Sequence, residues 1–146
     1  WPTIAKSSCL SIGALTLTDA GFRGAAYGRL YKSDFGKKGP TDFSAVAPID
    51  YRQGLDPGVA QNRINVAARI FADCVARADP ADSKALVLSR IASDDEAAAF
   101  DRLQPASRNC LNQGISVTFS KAALRALMGE ALYRLSRAAG PGRGET

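Results

Sequence analysis

Apolar residues recur along this chain with the 3.6-residue period of amphipathic helices. The clearest run is Leu124, Leu127, Met128, Ala131, Leu132 and Leu135. Its spacing predicts one continuous apolar stripe. Ser120 precedes it where an N-cap hydroxyl belongs, and Glu130 and Arg134, four apart, can pair on its flank. A second run, Val59, Arg63, Val66, Ala67, Ile70, Phe71, Cys74 and Val75, keeps one face and places Cys74 on the buried side. Asp56-Pro57 reads as the start of this helix, Asp as cap and Pro at the first helical position. Asp79-Pro80 stops it and opens another, whose apolar contacts are Leu86, Val87, Leu88 and Ile91. Ser93-Asp94-Asp95-Glu96 opens a third through an S-x-x-E capping box, with Ala97, Phe100 and Leu103 on its inner face.

The helical pattern is framed by an internal repeat. Cys9-Leu10-Ser11-Ile12-Gly13 and Cys110-Leu111-Asn112-Gln113-Gly114 open two copies. Leu15-Thr16-Leu17 and Val117-Thr118-Phe119 follow as short extended pieces, with Thr18 and Ser120 as caps. Phe22-Arg23-Gly24 then matches Leu124-Arg125-Ala126, and Leu30-Tyr31 matches Leu132-Tyr133. One residue is inserted between Gly114 and Val117 of the second copy. Two copies cannot build a solenoid, so they read as two related halves packed together. The first-copy helix carries Gly21, Gly24 and Gly28. These dilute helix propensity by ~1 kcal/mol each relative to Ala, or let another helix come close.

The predicted fold class is therefore mainly α: one compact domain of about four to five helices with two half-repeats and short extended segments. The domain runs over 1–139, with half-repeats at 9–35 and 110–135, an irregular connection at 36–56 and middle helices at 57–105. Residues 140–146, rich in Gly, form a flexible tail. The length of 146 residues suits one domain. Long irregular connections such as 36–56 are often functional or partner-bound.

Composition narrows the chemistry. The chain has no histidine, which excludes Ser–His, Cys–His and His-metal sites, and three cysteines are too few for a Cys-only zinc site. No phosphate-loop, dinucleotide-loop, nucleophile-elbow or zinc-protease motif is present. No window approaches the ~18 apolar residues of a membrane span, so no transmembrane segment is expected. The net charge of +5 is concentrated at the two ends of the chain. Lys32, Lys37 and Lys38 beside Tyr31 and Phe35 form the closest basic cluster, and Gly36-Lys37-Lys38-Gly39 reads as a solvated turn better than as a phosphate site. No specific nucleic-acid partner is expected, because the excess charge sits at the two ends of the chain rather than in a central groove, and this turn is the closest approach to the clustered Lys/Arg with stacking aromatics that a nucleic-acid reader needs.

The remaining candidates have structural readings. Asp94-Asp95-Glu96 could hold a cation, but acidic residues also suit a helix start, where they face the positive end of the dipole. Asp79 and Asp82 read the same way. Arg23 and Arg125, at matched positions, are expected to bond neighbouring carboxylates or carbonyls rather than form an anion site. Tyr31 and Tyr133 are expected in the core with hydroxyls at the rim. Cys9 has no evident activating group and is better read as structural, free or bonded intermolecularly. Trp1, Lys37 and Lys38 are candidate partner contacts. No catalytic residue, cofactor or metal ligand is assigned. The chain begins Trp1-Pro2-Thr3 and its sole methionine is Met128. Removal of a secretory signal and proteolytic trimming account equally for that start.

From Phe71-Ala72-Asp73-Cys74-Val75 through Cys110-Leu111 to Gly129-Glu130-Ala131-Leu132-Tyr133, the chain resembles a group of uncharacterised secreted proteins from sphingomonad-type alphaproteobacteria. The likeness covers residues 70–135, and more loosely 9–35. It implies export, to the periplasm or beyond, and a Cys74–Cys110 disulfide; it carries no assigned activity. Cys9 here lacks the preceding helix that would supply its partner. Together these readings favour an exported non-enzymatic helical module that serves as an interaction or structural subunit, with another envelope or extracellular protein as partner. A small hydrolase-like enzyme using carboxylate, Arg and Tyr groups is one alternative. An adaptor for anionic polymer or lipid is the other.

Overall fold

The computed structural model describes residues 19–111 and 117–140. It is mainly helical, with six α-helices and no strand among the described residues: α1 (Asp19–Asp34), α2 (Ala60–Ala78), α3 (Pro80–Leu88), α4 (Asp94–Arg102), α5 (Gln104–Cys110) and α6 (Lys121–Ala139). A single 3-10 turn, Gly36–Lys38, follows α1. Helix α6 is the centre of the assembly and packs against α1, α2 and α3. Its Met128, Ala131, Leu132 and Leu135 are fully buried, and Leu124 and Leu127 are partly buried against the same core. The facing side chains are Tyr31 of α1, Ala72, Val75 and Ala76 of α2, and Leu86 and Val87 of α3.

The two half-repeats meet directly. Helices α1 and α6 lie side by side and run the same way: Gly24 faces Ala126, Gly28 faces Gly129, and Asp34 reaches Tyr133. A Cβ on Gly24 would overlap the Cβ of Ala126, its counterpart in the second half. Of the first-copy glycines, Gly24 serves close helix approach, because only the absence of a side chain there admits Ala126 of the neighbouring helix. The extended piece Leu15-Thr16-Leu17 and the cap Thr18 lie outside the described residues. Val117-Thr118-Phe119 forms no strand, and Phe119 stacks on Phe71 with ring centroids 5.6 Å apart.

Several helix ends follow the sequence. Asp79 accepts a hydrogen bond from the Asp82 backbone N–H at 3.0 Å, with Pro80 in the first turn. Ser93 caps α4 by accepting from the Glu96 N–H at 3.2 Å, and Ser120 caps α6 by accepting from the Ala123 N–H at 3.1 Å. Elsewhere the chain departs from expectation. Helix α2 begins at Ala60, not at Pro57. Asp56 instead accepts from the Gly58 N–H, closing a local turn, and Arg63 donates to the carbonyls of Pro57 and Gly58. An Asp side chain that satisfies the backbone two residues on competes with helix capping. One helix more than expected follows the middle helices, because Pro105 sits in the first turn of the short α5 directly after α4. The inner face of α4 is Glu96, Ala99 and Leu103, with Phe100 partly buried and Ala97 exposed. Ile91 lies in a turn past α3, 74% exposed, rather than in the core.

The irregular connection is held down. Phe43 and Tyr51 are buried, and Arg77 of α2 donates to the carbonyls of Phe43, Val46 and Ala47. Lys84 of α3 donates to the carbonyls of Lys37 and Gly39. One guanidinium thus serves three loop carbonyls, the Phe43 carbonyl also accepting from the Val46 N–H.

Candidate functional site

The densest charged cluster in the described residues is centred on Glu130, halfway along α6. Its side chain is buried, 5% exposed. Three guanidiniums reach it: Arg23 of α1 at 2.9 Å, Arg134 one turn on at 3.0 Å, and Arg69 of α2 at 3.4 Å. The pairing of Glu130 with Arg134 was expected on the flank of the apolar stripe. It lies instead at the junction of three helices, because Arg23 and Arg69 arrive from other elements and enclose it. One carboxylate cannot balance three guanidiniums, so the cluster carries excess positive charge. Nε of Arg23 is buried without a hydrogen-bond partner.

Aromatic rings complete the cluster. The Arg134 guanidinium lies 5.7 Å from the Tyr27 ring centroid and 5.5 Å from that of Tyr51, and Arg23 lies 5.7 Å from Tyr27. Such contacts are favourable because the ring face is electron-rich. Tyr51 donates to Asp73 at 2.8 Å, and Asp73 is paired with Arg77 at 2.6 Å. Burial and the Asp73 carboxylate push the Tyr51 hydroxyl well above the usual tyrosine range. Tyr133 packs on Tyr27 at 5.7 Å and donates to Asp34 at 2.9 Å, which also raises its pKa. An open groove of about 500 Å³ runs alongside, lined by Tyr27, Ile49, Tyr133, Arg134, Arg137 and Ala138.

A second charged centre surrounds Arg125. Its guanidinium donates to Glu96 at 2.7 Å, to the Ser89 hydroxyl at 2.9 Å and to the carbonyls of Val87 and Ser89. Glu96 also accepts from the Ala92 N–H at 2.8 Å. This clamp closes the end of α3 and the start of α4 onto α6. Arg23 and Arg125 thus bond carboxylates, as their matched positions suggested, and Arg125 bonds carbonyls as well. They do not converge on one site. Glu96 combines a helix-start role with an ion pair, while Asp94 and Asp95 stand exposed in the first turn.

The other sequence candidates are scattered. Lys37 and Lys38 are exposed in the 3-10 turn. Tyr31 beside them is fully buried and unavailable for stacking on a ligand. Burial pushes its hydroxyl up to about 12, and the nearby Ser136 hydroxyl eases the shift without closing a hydrogen bond. Cys74 and Cys110 form a disulfide with Cα atoms 5.8 Å apart, joining α2 to α5. Cys74 is exposed, contrary to the face assigned to it, because Ala72, Val75 and Ala76 turn inward in its place. Trp1 and Cys9 lie outside the described residues. Among the described residues no cluster of three or more Cys, Asp or Glu could hold a metal ion, and no helix is long and apolar enough to cross a membrane.

Sequence reasoning missed Tyr27, Arg69 and Arg137 as members of one region. The signal within reach was helical spacing: Tyr27 stands one turn before Tyr31, and Arg137 stands one turn past Tyr133 and Arg134. Nothing local ties Arg69 to them. No family model matches the chain, and comparison with curated proteins and with solved structures finds no match.

Proposed function

We propose that this chain is an exported, non-enzymatic helical module that acts as an interaction or structural subunit in the cell envelope or an extracellular assembly. The observation that carries this reading is the use made of the charged residues. Arg23, Arg69 and Arg134 converge on Glu130, Arg125 on Glu96, and Arg77 on Asp73 and the loop carbonyls. The pairs made by Arg23, Arg69 and Arg125 and the bonds from Arg77 to the loop carbonyls fasten one element to another, while Arg134–Glu130 and Arg77–Asp73 hold those groups in place within α6 and α2. The enzyme alternative needs Arg23 or Arg125 beside a carboxylate in a concave site, and neither residue lines the groove beside Tyr27 or the one beside Ile70. The Cys74–Cys110 bond supports export, since disulfides persist in oxidising compartments.

The test is fractionation of natively expressing cells, followed by sizing of the protein without reductant. The reading expects the chain outside the cytoplasm, in a species larger than its 15.4 kDa monomer. A reduced cytoplasmic monomer would overturn it.

A further inference from the structure

Resting on that reading, we infer that the groove between α1 and α6 docks an acidic polypeptide segment bearing an aromatic or aliphatic anchor. Charge makes the first argument. The guanidiniums of Arg23, Arg69, Arg134 and Arg137 gather along this side, and among the described residues the carboxylates that touch them or the groove's tyrosines are Glu130 and Asp34. Two positive charges are left over. Arg137 is exposed at the lip, one turn past Arg134, and its side chain makes no hydrogen bond or ion pair among the described residues. Arg134 is immobilised by Glu130 and by the Tyr27 and Tyr51 rings, so part of the ordering that binding an anion requires is already done.

Surface chemistry makes the second argument. Tyr27 and Tyr133 present tilted rings, and Ile49 and Ala138 continue the apolar wall. Tyrosine and arginine on a partly apolar patch are the residue types that dominate protein–protein contact energies. Shape makes the third. The groove is open rather than enclosed, whereas small-molecule sites bury most of their ligand. A chain laid across it can set an aromatic or aliphatic side chain against Tyr27 and Tyr133 while a flanking carboxylate meets Arg134 and Arg137. Bidentate carboxylate contacts suit guanidinium geometry.

The test uses the whole 146-residue chain and a blocked pentapeptide, acetyl-Asp-Glu-Phe-Glu-Asp-amide. Side-chain NMR signals of Arg134, Arg137, Tyr27 and Tyr133 report occupancy, and titration calorimetry gives the affinity. The proposal expects the peptide to shift these signals, with binding that weakens as salt rises. It expects Arg137→Glu, exposed in the last turn of α6, to lower the melting temperature by no more than a few degrees through the helix dipole and to lose affinity about tenfold or more, a change of ~1.4 kcal/mol. The lysine version of the peptide should leave the signals unmoved. No binding at millimolar peptide, shifts confined to another face, or equal affinity in Arg137→Glu would overturn the proposal. So would equal occupancy by inorganic phosphate or by phosphatidylglycerol vesicles, which would make the groove a general anion or lipid site. Binding at another face sinks this groove yet leaves an interaction module standing, whereas a cytoplasmic monomer on fractionation sinks the module itself.

Discussion

Glu130 shows how one residue can hold three helices. Its carboxylate is enclosed and joins α1, α2 and α6 through Arg23, Arg69 and Arg134. Removing one partner of a buried ion pair leaves the others uncompensated, at a cost of about 3–5 kcal/mol. Glu130→Ala should therefore destabilise the fold by about 3 kcal/mol in urea unfolding, the lower end because Arg23 and Arg134 keep some contact with water. A loss below about 1 kcal/mol would show that the cluster is only a surface network. Tyr31 makes the opposite prediction. Its hydroxyl is buried without a hydrogen-bond partner, so Tyr31→Phe should be neutral or slightly stabilising. The folded pKa lies above the unfolded value, so the neutral hydroxyl is the form the fold favours. Stability from this group is complete below about pH 10 and drains away as pH climbs through about 12. Unfolding midpoints measured from pH 8 to 12 should fall at the alkaline end, less so in Tyr31→Phe. At this scale the sequence showed the i, i+4 pair of Glu130 with Arg134 and the bonding partners expected of Arg23 and Arg125. It did not show Arg69 or the burial of Glu130, because both depend on which helices meet.

Between elements, the contact of α1 with α6 turns on small residues. Gly24 lies against Ala126, where a Cβ has no room, whereas Gly28 has nothing within 4 Å of where its Cβ would stand. Gly24→Ala should cost about 1–3 kcal/mol through overpacking. Gly28→Ala should gain about 0.5–1 kcal/mol, since alanine is the better helix former and meets no obstacle. Thermal melts of the pair check the account, and equal effects of the two substitutions would contradict it. Caps at Asp79, Ser93 and Ser120 were legible because a capping hydroxyl or carboxylate acts within its own turn. The start of α2 was misread because Asp56 had a nearer use in the turn with Gly58. Helix α5 was missed because Leu103 and Pro105 sit so close that two helices read as one.

For the molecule as a whole, helix content and a single packed core follow from periodicity, and the repeat anticipated that its two halves would touch. The path of the irregular connection did not follow. Phe43 and Tyr51 carry no period, and Arg77 gives no sign in sequence that it grips three carbonyls. The groove beside Tyr27 is likewise a product of assembly, since its residues come from α1, α6 and the connection. The disulfide ties the last part of α2 to the end of α5 across 36 residues. Closing a loop of that length restricts the unfolded chain by about 3–4 kcal/mol in the chain-entropy view. That is a large share of the ~5–15 kcal/mol typical of a domain. Reduction should lower the urea midpoint without changing helix content below the transition, as followed by circular dichroism.

The central claim is an exported module whose shape is set by ion-pair ties and the Cys74–Cys110 bond. Its most direct test is the intact mass of natively isolated protein, alkylated without reduction. The account predicts that at most one thiol takes up the label, leaving Cys74 and Cys110 unmodified until reductant is added. Three labelled thiols would contradict it, removing the argument for export and returning the chain to a reducing compartment.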